Sequence, residues 1–306
     1  MSTEVSTPAG RVLARPAAGP LRRLVAGLAG RLVAATPLTW LVLFFAVPLG
    51  YVVVFSFAYA TFGRVTLGFT LENYQEALSG FYVTIFARTV RFAVQGTVLV
   101  MLIAMPVAYF AARKAGRFKT FLLLLLMVPF WTSFLIRVLA WKTLLEVGGP
   151  VEDVLNGLHL HSGQLGWIDS PTAVFIGVVY AYLPMAVIPL FVAFERIPAP
   201  MLEASKDLGA SRWRTLWHVT LPQARPGIGA AVLLVMIPMS GELVVPALLG
   251  GDRGVLYGSL IQGQFIQSAN QALGSAMAMV LLVVVALAIA VSSGVGRLLA
   301  RREARA

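Results

Sequence analysis

The chain has 306 residues, of which 58% are hydrophobic and 12% are charged. In soluble domains about a quarter of the residues are charged, so this composition excludes an ordinary soluble domain. The chain contains no cysteine, which excludes a disulfide framework, thiol catalysis and a zinc–thiolate site.

Six apolar runs follow one another along the chain, and each has 21 to 24 residues. At about 1.5 Å per residue, a helix of this length crosses a hydrocarbon layer of about 30 Å. Charged residues are absent from four of the runs, and the other two hold only Arg137 and Glu242. Internal prolines predict bends in five of the runs. The sequence thus predicts an all-α integral membrane protein with six transmembrane helices, over residues 37–60, 92–112, 120–141, 172–194, 227–249 and 274–296.

The net charge of +11 is distributed in a way that argues against nucleic-acid binding. Of the 24 Lys and Arg residues, 18 lie in the four segments before run 1, between runs 2 and 3, between runs 4 and 5, and after run 6. The excess of Lys and Arg in cytoplasmic loops of membrane proteins places those four segments, and both termini, in the cytoplasm.

The predicted domain organisation has three parts. Residues 1–36 form a cytoplasmic arm, 37–298 form the six-helix membrane domain, and 299–306 form a cytoplasmic tail. In the arm, Leu24, Val25, Leu28 and Leu32 fall on one helical stripe beside arginines, which predicts a helix on the inner membrane surface. The alternative is a continuous extension of the first transmembrane helix.

The polar loop over residues 195–226 has the pattern of two short helices. Pro198 and Pro200 can open the first helix, and Gly209 can adopt the left-handed conformation that ends it. Ser211 can cap a second helix, which Pro222 is predicted to end. This pattern predicts a compact helix–glycine–helix elbow rather than an irregular loop.

The elbow contains the pattern Glu-Ala-Ser-x3-Gly-x9-Val-x-Leu-Pro, from Glu203 to Pro222. It closely resembles the signature loop in the membrane permeases of bacterial ATP-binding-cassette (ABC) importers. Ser205 and Val219 replace the usual Ala and Ile. The resemblance implies that this coupling loop docks on a separate ATPase subunit, through residues Glu203, Ala204, Ser205, Asp207, Gly209, Leu221 and Pro222.

The resemblance also implies an assembly in the bacterial inner membrane. Its other members would be a second related permease, two copies of an ABC ATPase and an extracytoplasmic solute-binding protein. The chain has no Gly-x4-Gly-Lys-Ser/Thr phosphate loop. We therefore expect that this subunit is not an enzyme, holds no cofactor, and leaves ATP and magnesium to the ATPase. No metal site is expected, since His159 and His161 lie in a predicted outer loop.

Two further stretches resemble the spermidine/putrescine-type branch of these permeases. They are residues 128–137 with Ala140 and Trp141, and residues 241–251 continued by 260–265 and 273–276. The likeness covers roughly residues 35–298. It implies import of polyamines, with opines, gamma-aminobutyrate or another small amine as the alternative cargo. A secondary transporter acting alone and a membrane-embedded enzyme are the alternative functional classes for a chain of this composition.

A polyamine path needs a counter-charge and aromatic faces for its ammonium groups. A charge within a span is costly, so Glu242 is expected to face a cavity or a partner. The alternative is a structural bond from Glu242 to another helix or to Arg137. The candidate aromatic residues are Phe130, Trp131, Trp141, Tyr180 and Tyr182, and for each the alternative is helix packing or anchoring at the membrane interface.

Overall fold

The computed structural model describes residues 35, 37–61, 64–160 and 166–303. It divides into two compact units, Met1–Tyr51 and Val52–Ala306. Within the first unit, the rings of Trp40 and Phe44 stack with their centroids 4.0 Å apart. The interfacial helix predicted within residues 1–36 falls, except for Ala35, outside the described residues.

Within those residues the chain forms thirteen helices, the first of them π-helical over Val42–Ala46, and one short antiparallel hairpin. The helices are α1 (Pro37–Ser56), α2 (Glu72–Ala77), α3 (Gly80–Arg113), α4 (Lys119–Met127), α5 (Phe134–Leu145), α6 (Pro150–Gly157), α7 (Pro171–Glu195), α8 (Ala199–Asp207), α9 (Arg212–Thr215), α10 (Leu221–Ser240), α11 (Val244–Leu249), α12 (Tyr257–Ile266) and α13 (Gln271–Glu303). The hairpin strands are β1 (Tyr59–Thr61) and β2 (Arg64–Thr66), with Ala60 paired to Val65.

Five helical segments of the described chain are long and apolar enough to cross a membrane: Pro37–Ser56, Gly80–Arg113, Pro171–Glu195, Arg212–Ser240 and Gln271–Val291. A sixth span exists if the pair Gly116–Trp131 and Phe134–Leu145 is counted as one. The predicted helical membrane architecture is therefore confirmed at the level of five to six spans.

The third predicted run is not one straight helix, because its two halves are bent by 92°. A 3₁₀ turn, Val128–Trp131, follows α4 and contains Pro129, which cannot donate a backbone hydrogen bond. Thr132 is extended, with ψ at 154°, and its hydroxyl donates to the Pro129 carbonyl at 2.7 Å. The proline thus ends the first half, and α5 begins in a new direction at Phe134.

Other predicted boundaries differ as well, since the helix of the second run begins at Gly80 instead of residue 92. The first run was expected to stay helical to residue 60, but α1 ends at Ser56 and the chain turns into the hairpin, so the fold is not strictly all-α. Asn73 fixes this end by donating from its amide to the carbonyls of Ser56 and Ala58 at 3.1 and 2.8 Å. The fifth run was expected to form one transmembrane helix to residue 249, bent at its prolines, and it breaks between Ser240 and Val244.

The core of the second unit is built by α3, α7 and α10. Val100, Val178 and Val235, one from each helix, are fully buried in the same apolar cluster. Small residues allow the close approach of these helices, as is common in membrane proteins. At Gly227 of α10, an added Cβ would overlap the Cβ of Ala193 in α7. This tight packing holds the loop between α7 and α10 against a rigid base.

Candidate coupling elbow and buried carboxylate

The elbow between α7 and α10 has the predicted shape in its first half. Pro198 precedes α8, and Gly209 has a φ of +76°. The Gly209 N–H donates to the Lys206 carbonyl at 2.8 Å, and the Ala210 N–H donates to the Ser205 carbonyl at 3.0 Å. These two bonds form a Schellman motif, which requires the left-handed conformation that glycine adopts without strain.

The second half of the elbow begins as predicted but does not end at Pro222. The Ser211 hydroxyl accepts from the Arg214 N–H at 3.3 Å and caps α9. A π-helical segment, Leu216–Thr220, then leads into α10, and the Leu221 N–H donates to the Leu216 carbonyl. Pro222 is the second residue of α10, directly after the π-helical segment, and the helix continues through it. The second elbow helix is therefore the beginning of a membrane span.

The predicted coupling residues divide into an exposed set and a supporting set. Glu203, Ala204, Asp207 and Gly209 are exposed. Ser205 is buried instead, and its hydroxyl lies 2.9 Å from that of Thr215. Leu221 and Pro222 are half-buried at the base of the elbow.

Sequence reasoning missed Leu208, whose side chain is 88% exposed at the tip of the elbow. Its position could have indicated this exposure, because Leu208 is an apolar residue between the charged pair Lys206 and Asp207 and the glycine that ends the helix. Thr215 was also missed, because its bond to Ser205 depends on how α8 and α9 pack. Leu208 and the exposed set together form a mixed apolar and acidic tip.

The Ser205–Thr215 hydroxyl pair is expected to stabilise the elbow. A double-mutant cycle with Ser205→Ala and Thr215→Val should give a coupling free energy of about 0.5–1.5 kcal/mol, the usual net value of such a hydrogen bond. Thermal unfolding of the purified protein measures it. Additive effects of the two substitutions would contradict this role.

Two contacts tie the elbow to the neighbouring spans. Arg113, the last residue of α3, donates from Nη2 to the Ile197 carbonyl at 2.5 Å. Lys119 of α4 forms an ion pair with Glu195 of α7, with an Nζ–Oε1 distance of 2.5 Å. The start of the elbow is thus fixed to α3 and α4, and its end is continuous with α10.

Glu242 lies in the break between α10 and α11, and it is 6% exposed. Its Oε1 accepts from the N–H groups of Leu243, Val244 and Val245 at 3.1, 2.9 and 3.2 Å. Its Oε2 accepts from the Tyr182 hydroxyl of α7 at 2.5 Å. The carboxylate is therefore fully hydrogen-bonded and joins α7 to the start of α11, which is the structural bond to another helix that the sequence left open.

The other candidate path residues form separate contacts. Trp141 of α5 packs edge-on against Tyr180 of α7, with ring centroids 5.5 Å apart. The Arg137 guanidinium lies 4.8 Å from the centroid of the Phe130 ring. Trp131, at the bend between α4 and α5, is 82% exposed. The structure therefore brings Tyr182 to Glu242 and Tyr180 to Trp141, but it does not bring all six candidates together in this chain.

In the described part of the chain, no group of three or more His, Cys, Asp or Glu side chains is placed to bind a metal ion. His159, two residues after the end of α6, has a φ of 56°, and His161 lies outside the described residues.

Comparison with solved structures supports the fold. An alginate ABC transporter, crystallised with an alginate-bound periplasmic protein, contains a chain that matches with a TM-score of 0.75 and 14% identity over 92% of this chain and 98% of that one. The MetNI methionine ABC transporter matches with a TM-score of 0.53 and 18% identity over 72% of this chain and 98% of that one.

Comparison with curated proteins gives closer relatives. The spermidine/putrescine transport system permease protein PotB of Salmonella typhimurium (strain SL1344) is 35% identical over 81% of this chain and 86% of that protein. PotB of Escherichia coli (strain K12) is 35% identical over 78% of this chain and 88% of that protein. Residues 101–305 match the family described as binding-protein-dependent transport system inner membrane component. The chain therefore belongs to this family of multi-pass inner-membrane permeases.

Proposed function

We propose that this chain is the permease subunit of an ATP-driven ABC importer for polyamines, and that it forms half of the translocation path. The observation that carries the proposal is the 35% identity to spermidine/putrescine permeases over most of both chains. The sequence of the bend around Trp131 and of the break around Glu242 supports the same branch.

The proposed topology has six spans, with the bent pair α4–α5 counted as one, and both termini in the cytoplasm. The distribution of Lys and Arg supports this orientation. It places the elbow, with the ends of α3 and α7, on the cytoplasmic side. The same side holds the proposed N-terminal arm and C-terminal tail, although α13 stays helical to Glu303.

The proposed partners are a second related permease, two copies of an ABC ATPase and an extracytoplasmic solute-binding protein. ATP and magnesium belong to the ATPase, so ATP hydrolysis lies outside this chain. The exposed tip around Leu208 and Asp207 supports docking, because it presents an apolar side chain next to a carboxylate. A groove on the ATPase is the proposed receptor.

The proposed cargo path uses Trp131 and the Trp141–Tyr180 pair as aromatic faces for ammonium groups. Glu242 supplies a fixed negative charge, held in place by Tyr182 and the amides of α11. In this arrangement the carboxylate attracts a cation through its field, while its hydrogen bonds keep the break between α10 and α11 in shape.

The complete complex, reconstituted in proteoliposomes with its solute-binding protein, tests the proposed function. We expect ATP-dependent uptake of radiolabelled spermidine or putrescine, and no uptake without ATP or without the binding protein. Gamma-aminobutyrate at the same concentration serves as the competing cargo. Uptake of gamma-aminobutyrate in preference to both polyamines would contradict the polyamine cargo, while the assignment as an ABC importer would stand.

A further inference from the structure

A groove of about 850 Å³ runs along α3 and opens at the elbow. Its floor includes Leu102, Met105 and Tyr109 of α3, and its mouth includes cations from α3, α8 and α9. We call it the basic groove. It is distinct from a second cavity of about 540 Å³, which is lined by apolar residues between α3, α4 and α7.

The length of the basic groove matches one leaflet of a membrane. From Leu102 to Arg113 the chain advances eleven residues, or about 16 Å along the helix axis. Half of a hydrocarbon layer of about 30 Å is about 15 Å. The floor therefore extends from the proposed cytoplasmic surface to the middle of the membrane, a depth that an acyl chain reaches and a water-soluble ATPase does not.

The charge at the mouth of the groove favours an anion. Arg113, Lys114, Lys206 and Arg212 line it, with Glu203 as the one acidic residue among its lining side chains. The Arg113 Nε is buried and has no hydrogen-bond partner among the described residues. Basic pockets between spans at the cytoplasmic surface suit the headgroups of anionic lipids.

Two tryptophans lie beside the cations. Trp213 and Trp217 contact each other with ring centroids 5.7 Å apart, and they are 68% and 53% exposed. Tryptophan is enriched at the level of lipid headgroups, because its ring is apolar and its N–H is a donor. Their position places the mouth of the groove at headgroup depth.

We propose that the basic groove binds an anionic phospholipid of the cytoplasmic leaflet. One acyl chain lies along α3, and the headgroup phosphate meets the four cations beside the elbow. This inference rests on the proposed topology. The chain's own residues 1–34 are a poor occupant, since they hold five arginines and one acidic residue, Glu4, and the groove repels that charge.

Native mass spectrometry of the delipidated complete complex tests the proposal. The complex is titrated with an equal mixture of phosphatidylglycerol and phosphatidylcholine of matched acyl chains. We expect the retained phosphatidylglycerol to exceed phosphatidylcholine by about a hundredfold, because each of the four cations contributes about fivefold and Glu203 offsets one of them. In the variant Lys114→Gln/Lys206→Gln/Arg212→Gln, whose three positions are exposed, only Arg113 remains, and the preference should fall to about fivefold or less.

The matched control is Arg117→Gln/Arg196→Gln/Arg214→Gln, which removes the same charge from the same side at positions outside the groove lining. We expect it to keep the preference. An equal loss in both triple variants would overturn the site, as would displacement of the lipid by millimolar inorganic phosphate alone. Binding that appears only after removal of the ATPase would show that the ATPase covers the groove, and it would overturn the proposal too.

Uptake by the wild-type complex is measured in parallel. If the complex takes up polyamine but shows no preference for phosphatidylglycerol, the lipid site is wrong and the proposed function stands. If it prefers phosphatidylglycerol but takes up no polyamine, the proposed function is wrong and the lipid site stands.

Discussion

Replacement of Gly209 by valine is expected to abolish ATP-coupled uptake or to prevent assembly with the ATPase. Gly209 has a φ of +76°, and a β-branched residue at positive φ costs about 1–3 kcal/mol. The space around its Cα is open, so the effect comes from backbone strain rather than from a clash. Strain breaks the Schellman motif and displaces the tip at Leu208. Uptake and stimulated ATP hydrolysis of the reconstituted complex measure the loss.

The control for this experiment is Gly209→Asn, because asparagine tolerates the left-handed conformation. It should keep most of the coupled activity while adding a side chain at the same position. Wild-type uptake and ATP hydrolysis by an assembled Gly209→Val complex would show that the geometry of the elbow does not control coupling.

Replacement of Glu242 by alanine is expected to cause the largest loss of stability among changes at the candidate path. It removes the acceptor of three backbone N–H groups and of the Tyr182 hydroxyl, all of which then lie without that partner at a buried site. A buried donor left unsatisfied costs about 1–3 kcal/mol. We expect a large drop in the yield of assembled complex and in its unfolding temperature.

The variant Glu242→Gln separates charge from structure. Its side-chain carbonyl can still accept from the α11 amides, so the complex should assemble. Uptake should fall by about tenfold, which corresponds to about 1.4 kcal/mol, within the range of a charge pair at an effective dielectric constant of about 20. Tyr182→Phe keeps the charge and removes one hydrogen bond, so its uptake should exceed that of Glu242→Gln. Undiminished uptake by Glu242→Gln would leave Glu242 with a purely structural role.

Much of the elbow could be predicted from its sequence because its signals are local. A helix that ends in a glycine commonly places that glycine in the left-handed conformation, which predicts the positive φ of Gly209. A serine three residues before a free N–H can cap a helix, which predicts the role of Ser211. The membrane spans could be predicted for a similar reason, since length and hydrophobicity decide whether a helix can cross.

The breaks in the spans depend on contacts that a single stretch of sequence does not contain. Proline at position 129 predicts a bend, but the 92° size of the turn does not follow from the residue type alone. Glu242 was expected in the middle of the fifth transmembrane helix, which Pro238 and Pro246 were expected to bend. The chain instead opens there, because the carboxylate can cap α11 and bind Tyr182, sixty residues earlier. Only the packing of α7 against α10 brings these two groups together.

The continuity of the second elbow helix with α10 has a mechanical consequence. Residues Arg212–Ser240 form one helical segment of 29 residues, about 43 Å long. Its first residues belong to the elbow, and its far end lies two residues from Glu242. A tilt of about 10° moves that far end by about 7 Å. A small movement of the elbow can therefore shift the break around Glu242, because one helical segment joins the two.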